Sequence, residues 1–286
     1  MPGGSRPAEA ARLAALVVAN LLGAAAFLYP MILPIGRREG EAAAHAQDAP
    51  VIFALLMPLM LVVILAEMTM RRSDSRTVAA LGTLAAVAAA LRIPTLPAGG
   101  TAFFLPVMIG GYVFGASFGF LLGAIALFVS AIVTGGVGPW MPFQMFTTAW
   151  VGAGFGLLGL GRRRFGRHPR LEVAVLAAVG LAGGIAYGAV MNLWFWPYAI
   201  SGSSISWEPG LSLTHTLVRY WRFYLLTSLG YDLMRGLTNA LLLAMFAGPL
   251  VFALGRFRAR RWQAPASARG QAARPPTATG EALHAG

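Results

Sequence analysis

The sequence has no cysteine and no lysine, and little charge of either sign. Without cysteine there is no disulfide, no thiolate nucleophile and no Cys-ligated metal. Without lysine there is no phosphate-cradling P-loop and no Schiff base on a lysine amine. Charged residues make up 11% of the 286, against about 25% in an ordinary soluble domain. That is too little charge to cover one or two water-soluble domains of this length. The four histidines, His45, His168, His215 and His284, are scattered and show no metal-ligand spacing such as HExxH. The expectation is a chain without a catalytic group, a metal or a cofactor.

What is present is apolar. Hydrophobic residues make up 57% of the chain, and the mean hydropathy is +0.68. Long stretches hold no charge and short loops hold several, the pattern of a chain that threads a bilayer repeatedly. A crossing helix needs about 20 apolar residues. Eight segments read as spans: Leu13–Ile35, Val51–Thr69, Thr77–Ile93, Ala102–Phe114, Phe118–Thr134, Met141–Leu160, Leu171–Trp196 and Gly230–Leu254. No Ala-x-Ala cleavage signal flanks the first, so it reads as an anchor. The fourth is short and is broken from the fifth at Gly115, as two helices turning tightly or tilted. The stretch Thr214–Thr227 reads as an interfacial helix, residues 36–50 as a polar loop, and the tail after Trp262 as disordered. The fold class is therefore all-α integral membrane with eight transmembrane helices. Residues 1–76 form a two-helix extension, 77–254 a six-helix core, and 255–286 a disordered basic tail.

The net charge of +12 comes from arginines that sit beside the spans, where they set topology and meet anionic lipid rather than nucleic acid. Arg71, Arg72 and Arg76 follow the second span. Arg162, Arg163, Arg164, Arg167 and Arg170 follow the sixth, and Arg256, Arg258, Arg260 and Arg261 follow the eighth. With eight spans, these clusters and both termini fall on the cytoplasmic side. The opposite loops hold only Arg37, Arg38, Arg219 and Arg222. Glu67 reads as an i, i+4 partner of Arg71.

Ionisable groups within spans are functional hypotheses by default. Asp232, Arg235 and Asn239 share one helix face, either as an ion pair that locks helices or as pocket lining. Asn192 leads into Trp194-Phe195-Trp196-Pro197-Tyr198, an aromatic belt or a set of stacking rings. The rigid turn from Gly135 to Gln144 holds Trp140, Phe143 and Gln144 at fixed positions. Arg92 ends the third span, either snorkelling to the interface or binding an anion. All of these map to the outer side, where they describe a pocket open to the exterior. On the third span Gly82, Ala86 and Ala90 repeat every four residues beside Ala85 and Ala89, a spacing that permits close helix approach.

The run from Thr77 to Leu254, about 178 of the 286 residues, resembles the substrate-specific (S) component of energy-coupling factor transporters. The motifs are Ala85-x-x-x-Ala89, TGGVGPWMPFQMF at 134–146, Met191-Asn192-Leu193-Trp194-Phe195-Trp196-Pro197, and Asp232-Leu233-Met234-Arg235 with Asn239. The GPWMPFQ stretch is the most specific and looks closest to members linked with cobalamin. The resemblance implies a six-helix core in a bacterial cytoplasmic membrane that binds a vitamin-type micronutrient from outside. It implies as partners a transmembrane coupling (T) subunit and two cytoplasmic ATPases, with no ATP hydrolysis on this chain. It also implies that Gly82, Ala85, Ala86, Ala89 and Ala90 face the coupling subunit. Arg92, Trp140, Phe143, Gln144, Asn192, Trp194, Trp196, Asp232, Arg235 and Asn239 then face the cargo. The first two spans lie outside the family core. The competing readings are a membrane enzyme acting on lipid or prenyl substrates and a structural membrane protein. The first normally needs a carboxylate cluster or a His/Asp pair within the membrane, whereas the only mid-membrane carboxylate here is Asp232.

Overall fold

A chain with only hydrocarbon around it forms helices, because a helix satisfies each backbone N–H and C=O within itself. The computed structural model describes residues 6–32, 45–70, 75–96, 100–165, 168–199, 203–208 and 210–260. These residues hold nine α-helices and no strand. They are α1 (Arg6–Ile32), α2 (His45–Met70), α3 (Ser75–Ala90), α4 (Phe104–Phe114), α5 (Ala116–Thr134), α6 (Met141–Leu158), α7 (Pro169–Ala199), α8 (Leu213–Thr227) and α9 (Leu229–Arg260). A 3-10 turn, Gly159–Phe165, follows α6.

Four stretches are long and apolar enough to cross a membrane: Ala116–Thr134, Met141–Arg162, Pro169–Pro197 and Leu229–Ala259. Val17–Leu28, Val51–Ala66, Ser75–Ala90 and Phe104–Phe114 are apolar but shorter. The protein is a multi-pass membrane protein, and the eight expected crossings divide into these two classes. Helix α4 shows why length matters. Its 11 residues rise only about 16 Å, half of a hydrocarbon core. Every residue from Phe104 to Val113 is buried, so α4 is a central post packed on α3, α5, α6 and α9. The break before α5 is the single residue Gly115, whose φ of 104° lies where side chains with a Cβ are strained.

Helices α5 and α6 meet backbone to backbone. A Cβ built on Gly152 would stand 2.7 Å from the Gly119 carbonyl carbon and closer still to its oxygen. Helices α7 and α9 meet along Gly180, Gly184 and Gly188, one residue per turn. A Cβ on Gly184 would lie 2.6 Å from the Gly236 Cα. Small residues let helices approach this closely where lipid supplies no hydrophobic drive to hold them together.

The N-terminal helices pack on the flank of the bundle: α1 touches α2, α6 and α7, and α2 touches α5 and α6. Phe27 of α1 sits edge-on to Phe143 with centroids 5.0 Å apart, and Asn20 accepts a 2.6 Å hydrogen bond from the Trp150 indole. Helix α8 lies where the sequence placed an interfacial helix, with Ser212 as its N-cap. It buries Tyr220, Phe223 and Tyr224, while Leu213, Leu217, Trp221 and Leu226 stay exposed. At the arginine-rich end, Glu172 accepts from the Tyr112 hydroxyl at 2.7 Å and pairs with Arg162 at 3.5 Å.

Several boundaries differ from the sequence expectation. Helix α3 ends at Ala90, so Arg92 stands in a following turn. Residues 45–50, expected in a polar loop, form the first turns of α2. Residues 255–260, expected in a disordered tail, continue α9, and Arg258 ties this last turn to α4 by donating to the Val113 carbonyl. Arg37, Arg38, Arg71, Arg72, Arg167 and residues 261–286 lie outside the described residues.

Candidate functional site

Helices α3, α5 and α7 finish at the same end of the bundle at which α4, α6 and α9 begin. Polar side chains converge just inside that end. Arg92, held by the turn after α3, donates from Nη1 to the Ser130 hydroxyl of α5 at 3.2 Å. Ser130 is fully buried. The Arg92 guanidinium also lies 5.7 Å from the Phe103 ring centroid. Phe103 meets Phe104 edge-on at 5.1 Å, and Phe104 meets Tyr187 of α7 edge-on at 5.0 Å. Beyond Tyr187, the Arg235 guanidinium of α9 stands 4.9 Å from its ring. One row of three rings therefore joins two arginines from opposite sides of the bundle. Each guanidinium gains from the negative face of the ring it covers.

Arg235 is neutralised. It donates to the Asp232 carboxylate one turn earlier, and to the Gly184 carbonyl at 3.4 Å. Asp232 is 3% exposed, and it fits there because α7 has a glycine opposite. Any Cβ at Gly188 would overlap the carboxylate. Its Oδ2 has no hydrogen-bond partner among the described residues. Asn239, two turns along the same face, donates to the Gly180 carbonyl at 3.4 Å and is buried. On α6, Thr148 donates to the Gln144 carbonyl at 2.7 Å. Gly100, before α4, is pressed on Thr238 of α9.

The ten expected binding residues separate into groups. Arg92, Asp232 and Arg235 meet through the aromatic row. Asn239 belongs to the α7–α9 seam, where it ties one backbone to the other helix. Phe143 is 1% exposed between Phe27 and Trp194, whose ring lies 5.2 Å away. Trp196 is equally buried, donating to the Ile205 carbonyl at 2.8 Å and packing on Tyr220 at 5.3 Å. Trp140 is 41% exposed and folds back on its own loop, its indole donating to the Gly136 carbonyl at 3.2 Å. Trp194 and Trp196 thus pack on rings of the protein, while Trp140 is held to its own loop. Gln144 and Asn192 are half-buried, and their side chains make no hydrogen bond to another described residue.

The residues missed from the sequence are Tyr187, Phe103, Phe104 and Ser130. Tyr187 left a readable signal: it is the only polar side chain of α7 between Glu172 and Asn192. The same ring borders a groove of about 360 Å³ between α6 and α7, lined by Thr147, Trp150, Phe155, Gly183, Tyr187 and Val190 among others. None of the ten expected residues lines it.

Ionisable side chains held on packed apolar helices make this end of the bundle the candidate site. The sequence profile of the ECF transporter substrate-specific component family matches residues 76–254, more than half of the chain, and the protein belongs to that family. Such components are non-catalytic substrate-binding subunits that work with a T component and ATPases in a membrane complex. No curated protein and no solved structure matches the chain.

Proposed function

We propose that this protein captures a vitamin-type micronutrient from the extracytoplasmic side and delivers it together with a separate T subunit and two ATPases. The observation that carries the reading is the meeting of Arg92, the three-ring row and the Asp232–Arg235 pair at one end of an otherwise apolar bundle. Ionisable side chains inside a membrane are costly and mark a functional site by default. Arginine distribution supports the orientation: Arg162, Arg170, Arg256 and Arg258 cluster at the other end, which the positive-inside rule makes cytoplasmic. We read eight crossings with both termini inside, the short α4 counting as one, because that number keeps the arginine clusters on one side.

Cobalamin stays a candidate on the GPWMPFQ motif. Trp194 and Trp196 pack internally and Trp140 is held to its own turn, so these rings do not favour cobalamin over other vitamin-type cargo. The test is to purify the chain in detergent from cells grown in rich medium, denature it, and analyse released small molecules by mass spectrometry. The expected result is one water-soluble micronutrient at near-stoichiometric amount. An empty protein that binds no member of a vitamin panel counts against the reading and favours a lipid-directed enzyme or a structural role.

The docking surface is narrower than the motif suggested. Ala85 and Ala89 are 2% and 3% exposed, facing the protein's own core. Gly82, Ala86 and Ala90 are exposed on the other face of α3, and a Cβ at Gly82 would meet nothing within 4 Å. We therefore assign the T-subunit contact to Gly82, Ala86 and Ala90. Replacing Gly82 and Ala86 together with Trp should leave cargo binding by the isolated subunit within about twofold while abolishing uptake in cells, by preventing close helix approach. Uptake at the wild-type rate in that double variant would remove the docking face from α3.

A further inference from the structure

We infer that the cargo carries an anionic group, a carboxylate or a phosphate, and that Arg92 is the residue that receives it. The inference rests on the substrate-binding reading above and names the chemistry of that same site. Residues 76–254 contain three acidic side chains, Glu172, Glu208 and Asp232. Each is already matched to an arginine: Glu172 to Arg162 at 3.5 Å, Glu208 to Arg219 at 2.9 Å, and Asp232 to Arg235. No carboxylate of this segment is left for Arg92.

Its only hydrogen-bond partner among the described residues is the neutral Ser130 hydroxyl, and its only ring contact is Phe103. A guanidinium has five donors, so most of its capacity is unspent. The Arg92, Asp232 and Arg235 group thus carries one net positive charge. Arg92 stands 5.7 Å from the Phe103 ring and Arg235 4.9 Å from the Tyr187 ring, so the surplus charge lies against the aromatic row. A snorkelling arginine points its head to the interface. Arg92 does the reverse, reaching a fully buried hydroxyl and a ring that is 2% exposed. A planar, fixed fork suits the paired oxygens of a carboxylate or phosphate. The neighbouring Phe103 and Phe104 are buried, and a charge pair is stronger in such low-dielectric surroundings.

The test compares full-length wild type, Arg92→Gln and Arg92→Lys, purified in parallel in detergent and checked for equal monodispersity. Released molecules are analysed in negative and positive ion modes. The expected result is a water-soluble species with a carboxylate or phosphate in the wild type. The Arg92→Gln protein should bind that species about 30-fold or more weakly, and Arg92→Lys should recover part of the loss, because charge returns without the fork. A neutral or cationic released species, or an anionic one bound equally by Arg92→Gln, overturns the inference and leaves the substrate-binding reading standing. Phospholipid as the only Arg92-dependent species assigns the arginine to a lipid headgroup and also overturns it. A wild type that releases nothing is then titrated with nicotinate against nicotinamide and biotin against biotinamide. Stabilisation by the acids alone, lost in Arg92→Gln, supports the inference. Equal stabilisation by acid and amide, or stabilisation by none of the four, overturns it, and only failure across the whole vitamin panel counts against the substrate-binding reading as well.

Discussion

Gly152→Ala is expected to lower the stability of the purified protein by about 3 kcal/mol or more, a fall in Tm on the order of 10 °C. The added methyl meets the Gly119 carbonyl on the facing helix, with the carbonyl carbon only 2.7 Å from the new Cβ. Overpacking against a flexible side chain is relieved by a rotamer change. Here the obstacle is backbone, and relief requires α5 and α6 to separate along their length. The seam is doubly constrained, because a Cβ on Gly119 would lie 2.8 Å from the Gly111 Cα as well. Moving α5 or α6 therefore disturbs α4, the buried post on which Phe104 of the site stands. Gly154→Ala, two residues along α6, supplies the control. Its Cβ would meet nothing within 4 Å. That change should be neutral or add up to about 1 kcal/mol through helix propensity. Thermal unfolding of both variants in one detergent checks the pair, and equal Tm values would mean that the α5–α6 contact is looser than described.

Asp232→Ala should cost about 2–4 kcal/mol and remove most cargo binding. Removing one partner of a buried ion pair leaves an uncompensated charge, which is the expensive outcome. The cost falls at the lower part of the range for such pairs because the Arg235 side chain is 29% exposed and partly screened. Asp232→Ala combined with Arg235→Met should recover at least about 1 kcal/mol relative to the sum of the single changes, because neither charge is then orphaned. Binding should not return with stability, since the double variant also loses the cation over Tyr187. Asp232→Glu should fail too: the native carboxylate already fills the space left by Gly188, so a further methylene has nowhere to go. Additive single effects in the double-mutant cycle would show that the pair is uncoupled and that Asp232 is held by burial alone.

These expectations separate two kinds of information. Composition, the spacing of apolar runs and the arginine clusters define a helical multi-pass membrane protein, and the turn and helix motifs point to the substrate-binding family. That much is local: the length of an apolar run decides whether a helix can cross, and Gly115 marks a break on its own. Asp232 and Arg235 were legible for the same reason, since i, i+3 spacing places them together on any helix.

What the tertiary structure decided is which face each residue turns to. Ala85 and Ala89 carry the motif, yet they are buried in the core, and Gly82, Ala86 and Ala90 keep the open face. Trp140, Trp194 and Trp196 stand in a motif that suggests stacking on a ligand. Helix α1 and helix α8 supply rings that take Trp194's neighbour Phe143 and Trp196 into packing instead. Arg92 shows the division most clearly. The sequence shows an arginine at the end of a span, equally suited to the interface or to an anion. Only the packing of α3 against α5 turns it toward Ser130 and Phe103, and only the pairing of every other acid in the core leaves it with charge to spare.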